Sequence, residues 1–318
     1  MTLTQITDAE LREMLDKGRS ESTVGIVERH QFDKVTSYPF QLLSLHLGSG
    51  QRLQVVVKDF GSTRLPKDDI AARAERELAV YRDLLSGAEG ATARLFGYVR
   101  DPIRLILEHI EGTDLKHHGV DAWIETAAWL GAFQTQMAER ATRLHHCRVL
   151  IRHDRTFFLD RAAAARTAIT EFGSWAARRL ETLLDGYRRM VDVMVDQPLT
   201  LVHGSFRPQN ILVSTTAGGT MRICPVDWEL AAVGSPLYDL AFLADGFEGP
   251  KLDRLLVAYL DGSGHDQSVP GADIVHALDC LRLHKIIKSL GDSAILEFNP
   301  GTVMKLLDMG AELRERLD

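Results

Sequence analysis

Two hydrophobic periods divide this chain. Between residues 24 and 60, apolar and β-branched residues come in short runs: VGIVERH, FQLLSLHL and RLQVVVKDF. The turn Gly48-Ser49-Gly50 separates the last two, and the set predicts an antiparallel meander. A helix follows over residues 68–86. Pro66 and Asp68 mark its start, Gly87 its end, and Leu78, Tyr81 and Leu85 repeat at helical spacing. ARLFGYVR and IRLILEHIEG add two strands around Asp101-Pro102. Beyond a crossing at residues 108–115 the period becomes helical. Leu130, Phe133 and Met137 share one face of a helix over 121–139, and residues 160–195 hold one or two long helices built on RAAAARTAI. One strand pair, NILV and RICPVDW, interrupts before helical patterns resume at Pro236. Residues 1–20 read as a short amphipathic helix with Thr7 and Asp8 as caps and Leu11, Met14 and Leu15 on one face. This order predicts an α+β, bilobal fold: a β-rich N-terminal lobe over 1–110, and a mainly helical C-terminal lobe over 111–318 containing the hairpin. The length of 318 residues suits two lobes, because single cores stop growing near ~250–300 residues.

Charge and cysteine usage narrow the class. With 37 Lys+Arg against 44 Asp+Glu the net charge is −7. Nucleic acid and anionic membrane are not expected partners, because both require a dense cationic surface. The three cysteines, Cys147, Cys224 and Cys280, form no CxxC pair, which disfavours a disulfide framework or a zinc site. The acidic, polar N-terminus does not read as a signal peptide, and no run reaches the ~20 apolar residues of a membrane span. A cytoplasmic protein, monomeric or weakly dimeric, is the expectation.

Chemistry concentrates in LVHGSFRPQNILV and, after it, CPVDWELAAVGSPLYDLAFL. His203 and Asn210 bracket a loop, and the second hairpin strand runs into Asp227-Trp228. A carboxamide and a carboxylate at the ends of a loop and a hairpin are oxygen ligands of the kind a hard cation such as Mg²⁺ takes. Asn210 as a turn residue and Asp227 as a strand-end cap are the alternatives. The full spacing, with Asp239-Leu240-Ala241 behind it, favours metal ligation. In these residues the chain resembles the aminoglycoside phosphotransferase and choline kinase group, which has a protein-kinase-like fold, the loop pattern H-G-D-x-x-x-x-N, and D-W or D-F at the end of the second hairpin strand. The resemblance spans about residues 24–260. It implies a phosphotransferase that uses ATP or GTP with Mg²⁺ on a small-molecule acceptor. Asn210 and Asp227 would hold the metal, Asp239 would fasten the loop, and His203 would brace it rather than act as a base.

The β-rich part offers an independent check. Lys58 ends VVVK, and a charge in an apolar strand is costly unless partnered. RAERELAVYRDL supplies Glu77, with Glu75 as the alternative partner. The resemblance implies that Glu77 orients Lys58 toward the α- and β-phosphates. A snorkelling lysine and a solvated glutamate form the other reading. LILEHIEGTDL takes the hinge position, where backbone groups around Glu108 and Ile110 would read the adenine. No GxGxxG occurs between Val24 and Leu47. KVTSYPF, with Ser37, stands where a phosphate-covering loop belongs.

The loop departs from the group at Ser205, which occupies the position of the catalytic Asp. Serine is not an anionic base near neutral pH, and general-base help is worth about 10²–10⁴-fold. Positioning and charge neutralisation carry more of a phosphoryl transfer. A small-molecule phosphotransferase with an atypical loop therefore ranks ahead of a pseudokinase without turnover and of a kinase-fold enzyme moving another group, such as a nucleotidyl moiety. Ser205, Arg207, His203 and Asp227 are the candidate catalytic residues. Ser205 removes a negative charge facing the attacking atom and Arg207 adds a positive one. An anionic acceptor, a carboxylate or phosphate ester gripped by Arg207, fits that pair. Glu229, two residues past Asp227 on the same side of a strand, is a candidate replacement base or metal ligand. His145-His146 and Cys147 lack a third metal ligand, His117-His118 read as a solvated turn, and Trp228 as hairpin packing. His284, Lys285 and Lys288 have a spacing that could face a pocket, and the cationic surface of an ordinary amphipathic helix is the favoured reading.

Overall fold

The computed structural model describes residues 7, 9–11, 15, 23–31, 36–47, 50–64, 67–87, 92–215, 218–264 and 271–317. The period-two runs form strands β1 (Thr23–Gln31), β2 (Phe40–Leu47) and β3 (Arg52–Asp59), and after helix α1 (Ile70–Ala79) come β4 (Leu95–Arg100) and β5 (Ile103–Glu108). They pair antiparallel in the order β1-β2-β3-β5-β4. Alternation puts Leu43, Leu45, Val55, Val57 and Ile106 together in one core, on which Leu11 and Leu15 pack. Thr7 caps the helical turn that carries Leu11. Its hydroxyl accepts from the Glu10 N–H at 3.2 Å, and its own N–H donates to the Glu10 carboxylate at 2.8 Å, a capping box. Asp8 and Met14 lie outside the described residues. The helix expected over 68–86 is of two kinds: α1 ends at Ala79, and a π-helical turn, Val80–Leu84, continues it and buries Tyr81 and Leu84.

The chain continues through β6 (Thr113–Asp114), α2 (Val120–Ala138), α3 (Ala141–His146), β7 (Ile151–Arg152), α4 (Arg155–Ile169), α5 (Ser174–Leu184), α6 (Tyr187–Val195) and β8 (Thr200–Val202). Then follow β9 (Ile211–Thr215), β10 (Met221–Pro225), β11 (Ala232–Gly234), α7 (Leu237–Leu243), α8 (Gly249–Gly262), α9 (Ala272–Gly291) and α10 (Pro300–Leu317). The result is the α+β, protein-kinase-like fold expected from the sequence. Contacts group the chain into two compact units, Met1–Asp114 with Ile211–Leu230, and Leu115–Asn210 with Ala231–Asp318.

In the first unit the β9/β10 hairpin, which the sequence reading set inside the helical lobe, joins the N-terminal residues. An isolated hairpin is marginal in water, and here β9 gains β6 as a third strand. Arg222 on β10 donates to both carboxylate oxygens of Glu108, at 2.7 and 2.9 Å. Thr92 donates to the Pro225 carbonyl at 2.9 Å.

The second unit is helical around a small sheet in which β11 runs parallel to β7 and antiparallel to β8. Leu130, Phe133 and Met137 of α2 are buried as expected. Residues 160–195 form parts of three helices rather than one or two. The breaks fall at Gly173 and Gly186, with φ of 91° and 64°, a left-handed backbone that glycine adopts without a side-chain clash. Where α2 meets α8, a Cβ at Gly131 would strike the Tyr259 carbonyl, and one at Gly262 the Ala128 carbonyl. No described helix is long and apolar enough to cross a membrane.

Candidate active site

Alternation along the central strand β3 puts Lys58 on the face opposite Val55 and Val57. Its side chain is 2% exposed. The ammonium stands 4.9 Å from the Phe60 ring centre, 5.1 Å from Tyr38 and 5.9 Å from Phe40. It donates to Glu77 Oε2 at 2.6 Å and to Asp227 Oδ1 at 2.5 Å. Glu75, the alternative partner, instead pairs with Arg100 at 2.8 Å. Burial pulls the Lys58 pKa down, but Asp227 and then Glu77 outweigh it, so the ammonium is held above its ordinary range. Burial pushes Glu77 up to about 7 against the pull of Lys58. One ammonium thus serves two carboxylates, and among the described residues Glu77 Oε1 is buried without a partner. Carboxylate oxygens are the kind of donor that a hard divalent cation takes.

Asp227 sits in the left-handed region at φ 69°, which Asp tolerates better than most side chains. The strand before it stops at Pro225, and Trp228–Leu230 is a 3₁₀ turn. The placing of Glu229 on the same strand side as Asp227 therefore does not hold. Glu229 is buried and anchors α1 and its approach. Its Oε1 accepts from Lys67 and, at 3.2 Å, from Arg73, while its carbonyl accepts from Arg76 at 2.5 Å. These three cations were not singled out from the sequence. Arg73 and Arg76, one turn apart beside Glu77, carried the available signal. Trp228 is 1% exposed and donates to the Pro225 carbonyl at 3.3 Å.

In the second unit, Asp239 at the start of α7 accepts from the N–H groups of His203 at 2.6 Å and Gly204 at 3.0 Å. Burial raises its pKa to about 7 although both bonds oppose it. Gly204 turns the loop at φ 77°. His203 is 1% exposed, and its Nδ1 accepts from the Ser205 N–H at 3.3 Å. Asn210 donates through Nδ2 to the Ser205 carbonyl at 3.0 Å, which leaves its carboxamide oxygen as the metal-binding type of donor. Arg207 is exposed, with its guanidinium 5.6 Å from the Phe242 ring centre.

The other expected nucleotide residues are more weakly marked. Ser37 lies in the segment before β2, its carbonyl accepting from the Arg64 N–H at 2.8 Å. The Glu108 N–H donates to the Arg94 carbonyl at 2.8 Å, and its carboxylate is held by Arg222. Ile110 is buried. The cationic helix surface expected at His284, Lys285 and Lys288 is corrected. His284 is 1% exposed, and the two lysine side chains 15% and 17%, because α9 packs against α4, α6, α7 and α10.

Known proteins share the family profile and the fold of this chain. A profile described as the phosphotransferase enzyme family covers residues 46–278. Among solved structures, a putative aminoglycoside phosphotransferase from Ralstonia eutropha JMP134 superposes with a TM-score of 0.64 at 16% identity, covering 97% of both chains. A choline kinase from Cryptosporidium parvum Iowa II gives 0.61 at 15%, over 92% of this chain and 90% of that one. The GDP complex of aminoglycoside 2'-phosphotransferase-IIIa gives 0.57 at 14%, over 90% and 93%. Mouse acyl-CoA dehydrogenase family member 11 is 23% identical over 317 residues, 85% of this chain. The chain spans only 38% of that relative's length.

Proposed function

We propose, from the premise that the chain belongs to the phosphotransferase enzyme family, that it transfers the γ-phosphoryl group of ATP or GTP to a hydroxyl of a small molecule, with Mg²⁺. In that reaction the acceptor oxygen bonds to the γ-phosphorus and the bond from that phosphorus to the β–γ bridging oxygen breaks. The nucleoside diphosphate leaves and the hydroxyl proton is released. The observation that carries the reading is the buried Lys58, shared between Glu77 at 2.6 Å and Asp227 at 2.5 Å. Lys58 donates to the phosphates and Glu77 aims it. Asp227 and the Asn210 carboxamide oxygen would hold magnesium, which when bound offsets triphosphate charge. Residues around Glu108 and Ile110 take the base, and Ser37 lies on the phosphate side. Asp239 and His203 keep the loop in shape, and Ser205 and Arg207 face the acceptor.

Ser205 favours a second reading, a nucleotide-binding regulator without turnover, because no carboxylate is supplied at the base position. Incubation with ATP and magnesium over a panel of alcohols separates these readings. ADP with a phosphorylated acceptor supports the transferase. Metal-dependent binding without product supports the regulator. Pyrophosphate release indicates nucleotidyl transfer and refutes both.

A further inference from the structure

Three cations of the second unit stand along one line of aromatic rings, and a fourth lies beside them. Arg207 and Lys285 approach the same ring, Phe242, at 5.6 and 5.5 Å from its centre. Phe242 meets Tyr238 at 5.4 Å, Tyr238 meets Phe157 at 6.3 Å, and Phe157 carries the Arg161 guanidinium at 5.5 Å. Lys288 lies three residues after Lys285 on α9, hence on the same side of that helix. Lys285 pairs with Asp245 at 2.5 Å and Lys288 with Asp292 at 2.6 Å. Among the described residues neither guanidinium meets a carboxylate, so positive charge is in surplus.

The surroundings register that surplus. Burial, with Arg207 among the neighbours, holds both lysines below their ordinary range. His153 packs 4.2 Å from Tyr238 and His284 4.6 Å from Phe158. Burial keeps both imidazoles neutral, helped by Arg161 in each case and by Lys288 at His284, and it brings His153 down to about 3. Partly desolvated like charges repel unless a counter-charge joins them. Guanidinium groups present fork-shaped pairs of donors that match phosphate oxygens.

We infer that Arg161, Arg207, Lys285 and Lys288 form the acceptor's anion site, and that the acceptor is an alcohol already carrying a phosphate ester. This rests on the phosphotransferase reading and names its substrate class. Arg207 ties the cluster to the loop, because it lies two residues past Ser205. An Asp at position 205 would oppose such an acceptor, and a serine does not.

The test uses the full chain saturated with a non-hydrolysable ATP analogue and magnesium, so that the nucleotide site does not take the probe. Inorganic phosphate is titrated into the wild type, Arg161→Gln and Lys285→Gln by calorimetry. Binding that weakens at least tenfold in each variant is the expected result. Unchanged affinity, or no binding to the wild type, overturns the site. The wild type alone gives a second measurement: phosphate should raise its thermal midpoint more than chloride at equal ionic strength, and equal shifts also overturn the site. ADP formation is then followed with matched alcohols bearing or lacking a phosphate ester. Turnover of neutral alcohols alone refutes the anionic acceptor and leaves the phosphotransferase reading standing. Phosphate binding with no ADP from any alcohol supports the site and refutes turnover.

Discussion

Replacing Lys58 by Met keeps the length of the side chain and removes its charge. Two carboxylates lose this ammonium at once, Glu77 from 2.6 Å and Asp227 from 2.5 Å. At an effective dielectric of 20, each contact is worth about 6 kcal/mol of Coulomb attraction. Desolvating the ammonium offsets several kcal/mol of that, and removing one partner of a buried pair costs about 3–5 kcal/mol net. At ~2–4 °C per kcal/mol for a domain of this size, the melting temperature should fall by roughly 10 °C at pH 7. The deficit should depend on pH in one direction. Glu77 has a folded pKa of about 7, raised above its ordinary 4.5, so its neutral form is favoured in the fold. The stability this supplies is full below pH 4.5 and lost as pH rises through about 7. Without Lys58 to pull it down, the shift becomes larger. Lys58→Met should therefore sit closest to wild type near pH 5 and furthest from it at pH 7–8. Lys58→Met with Glu77→Gln should recover much of the loss at pH 7. Differential scanning fluorimetry over pH 5–8 measures all three. A Lys58→Met midpoint equal to wild type at pH 7, or a deficit that grows on acidification, would refute the reasoning.

Asp227→Ala should weaken metal-dependent nucleotide binding by at least tenfold in calorimetry; equal binding would remove the metal assignment. Asp239→Asn keeps one acceptor for the two loop N–H groups and should cost about 1–3 kcal/mol. Because burial raises Asp239 from 3.8 to about 7, the wild type should lose stability across that range relative to the variant. A difference independent of pH would contradict this. Gly131→Ala forces a Cβ against the Tyr259 carbonyl and should cost about 1–3 kcal/mol or more. Gly119→Ala, with nothing within 4 Å of its added Cβ, should be near neutral, as urea titrations of both variants would measure.

What could be read from the sequence was whatever depends on short spacing. Strands β2 and β3 were legible because Leu43, Leu45, Val55 and Val57 alternate, and one face of their sheet must be buried. Lys58 calls for a partner because it interrupts an apolar strand, and it is the family resemblance that singles out Glu77 over Glu75. Glu229 was misplaced because alternation was extended past Pro225, where a 3₁₀ turn begins. A 3.6 period favours solvent for Lys285 and Lys288 because it describes one helix and not its neighbours. Their cover comes from elements far away in sequence, including the ring of Phe242. The pairing of β9 with β6 spans about a hundred residues, and no local pattern encodes it.

On the proposed reading, the loop keeps the groups that hold its shape and lacks the carboxylate that would face an acceptor. Asp239 grips the N–H groups of His203 and Gly204, and Asn210 holds the Ser205 carbonyl. Ser205 can therefore be changed without dismantling the loop, and Ser205→Asp sets two effects of opposite sign against each other. For a neutral alcohol the new carboxylate is a base, worth about 10²–10⁴-fold in turnover. For an acceptor whose oxyanion lies roughly 6 Å away, at an effective dielectric of 20, repulsion amounts to about 3 kcal/mol, on the order of a hundredfold in binding. Arg207, exposed and two residues on, would also be drawn toward the new carboxylate and away from the substrate. Ser205→Asp should therefore raise kcat for neutral alcohols and raise KM for phosphorylated ones, the second effect shrinking in high salt. Kinetics with matched acceptors at low and high ionic strength provide the measurement. If neutral alcohols speed up while phosphorylated ones keep their KM, the serine is a degraded base position and the anionic acceptor is wrong.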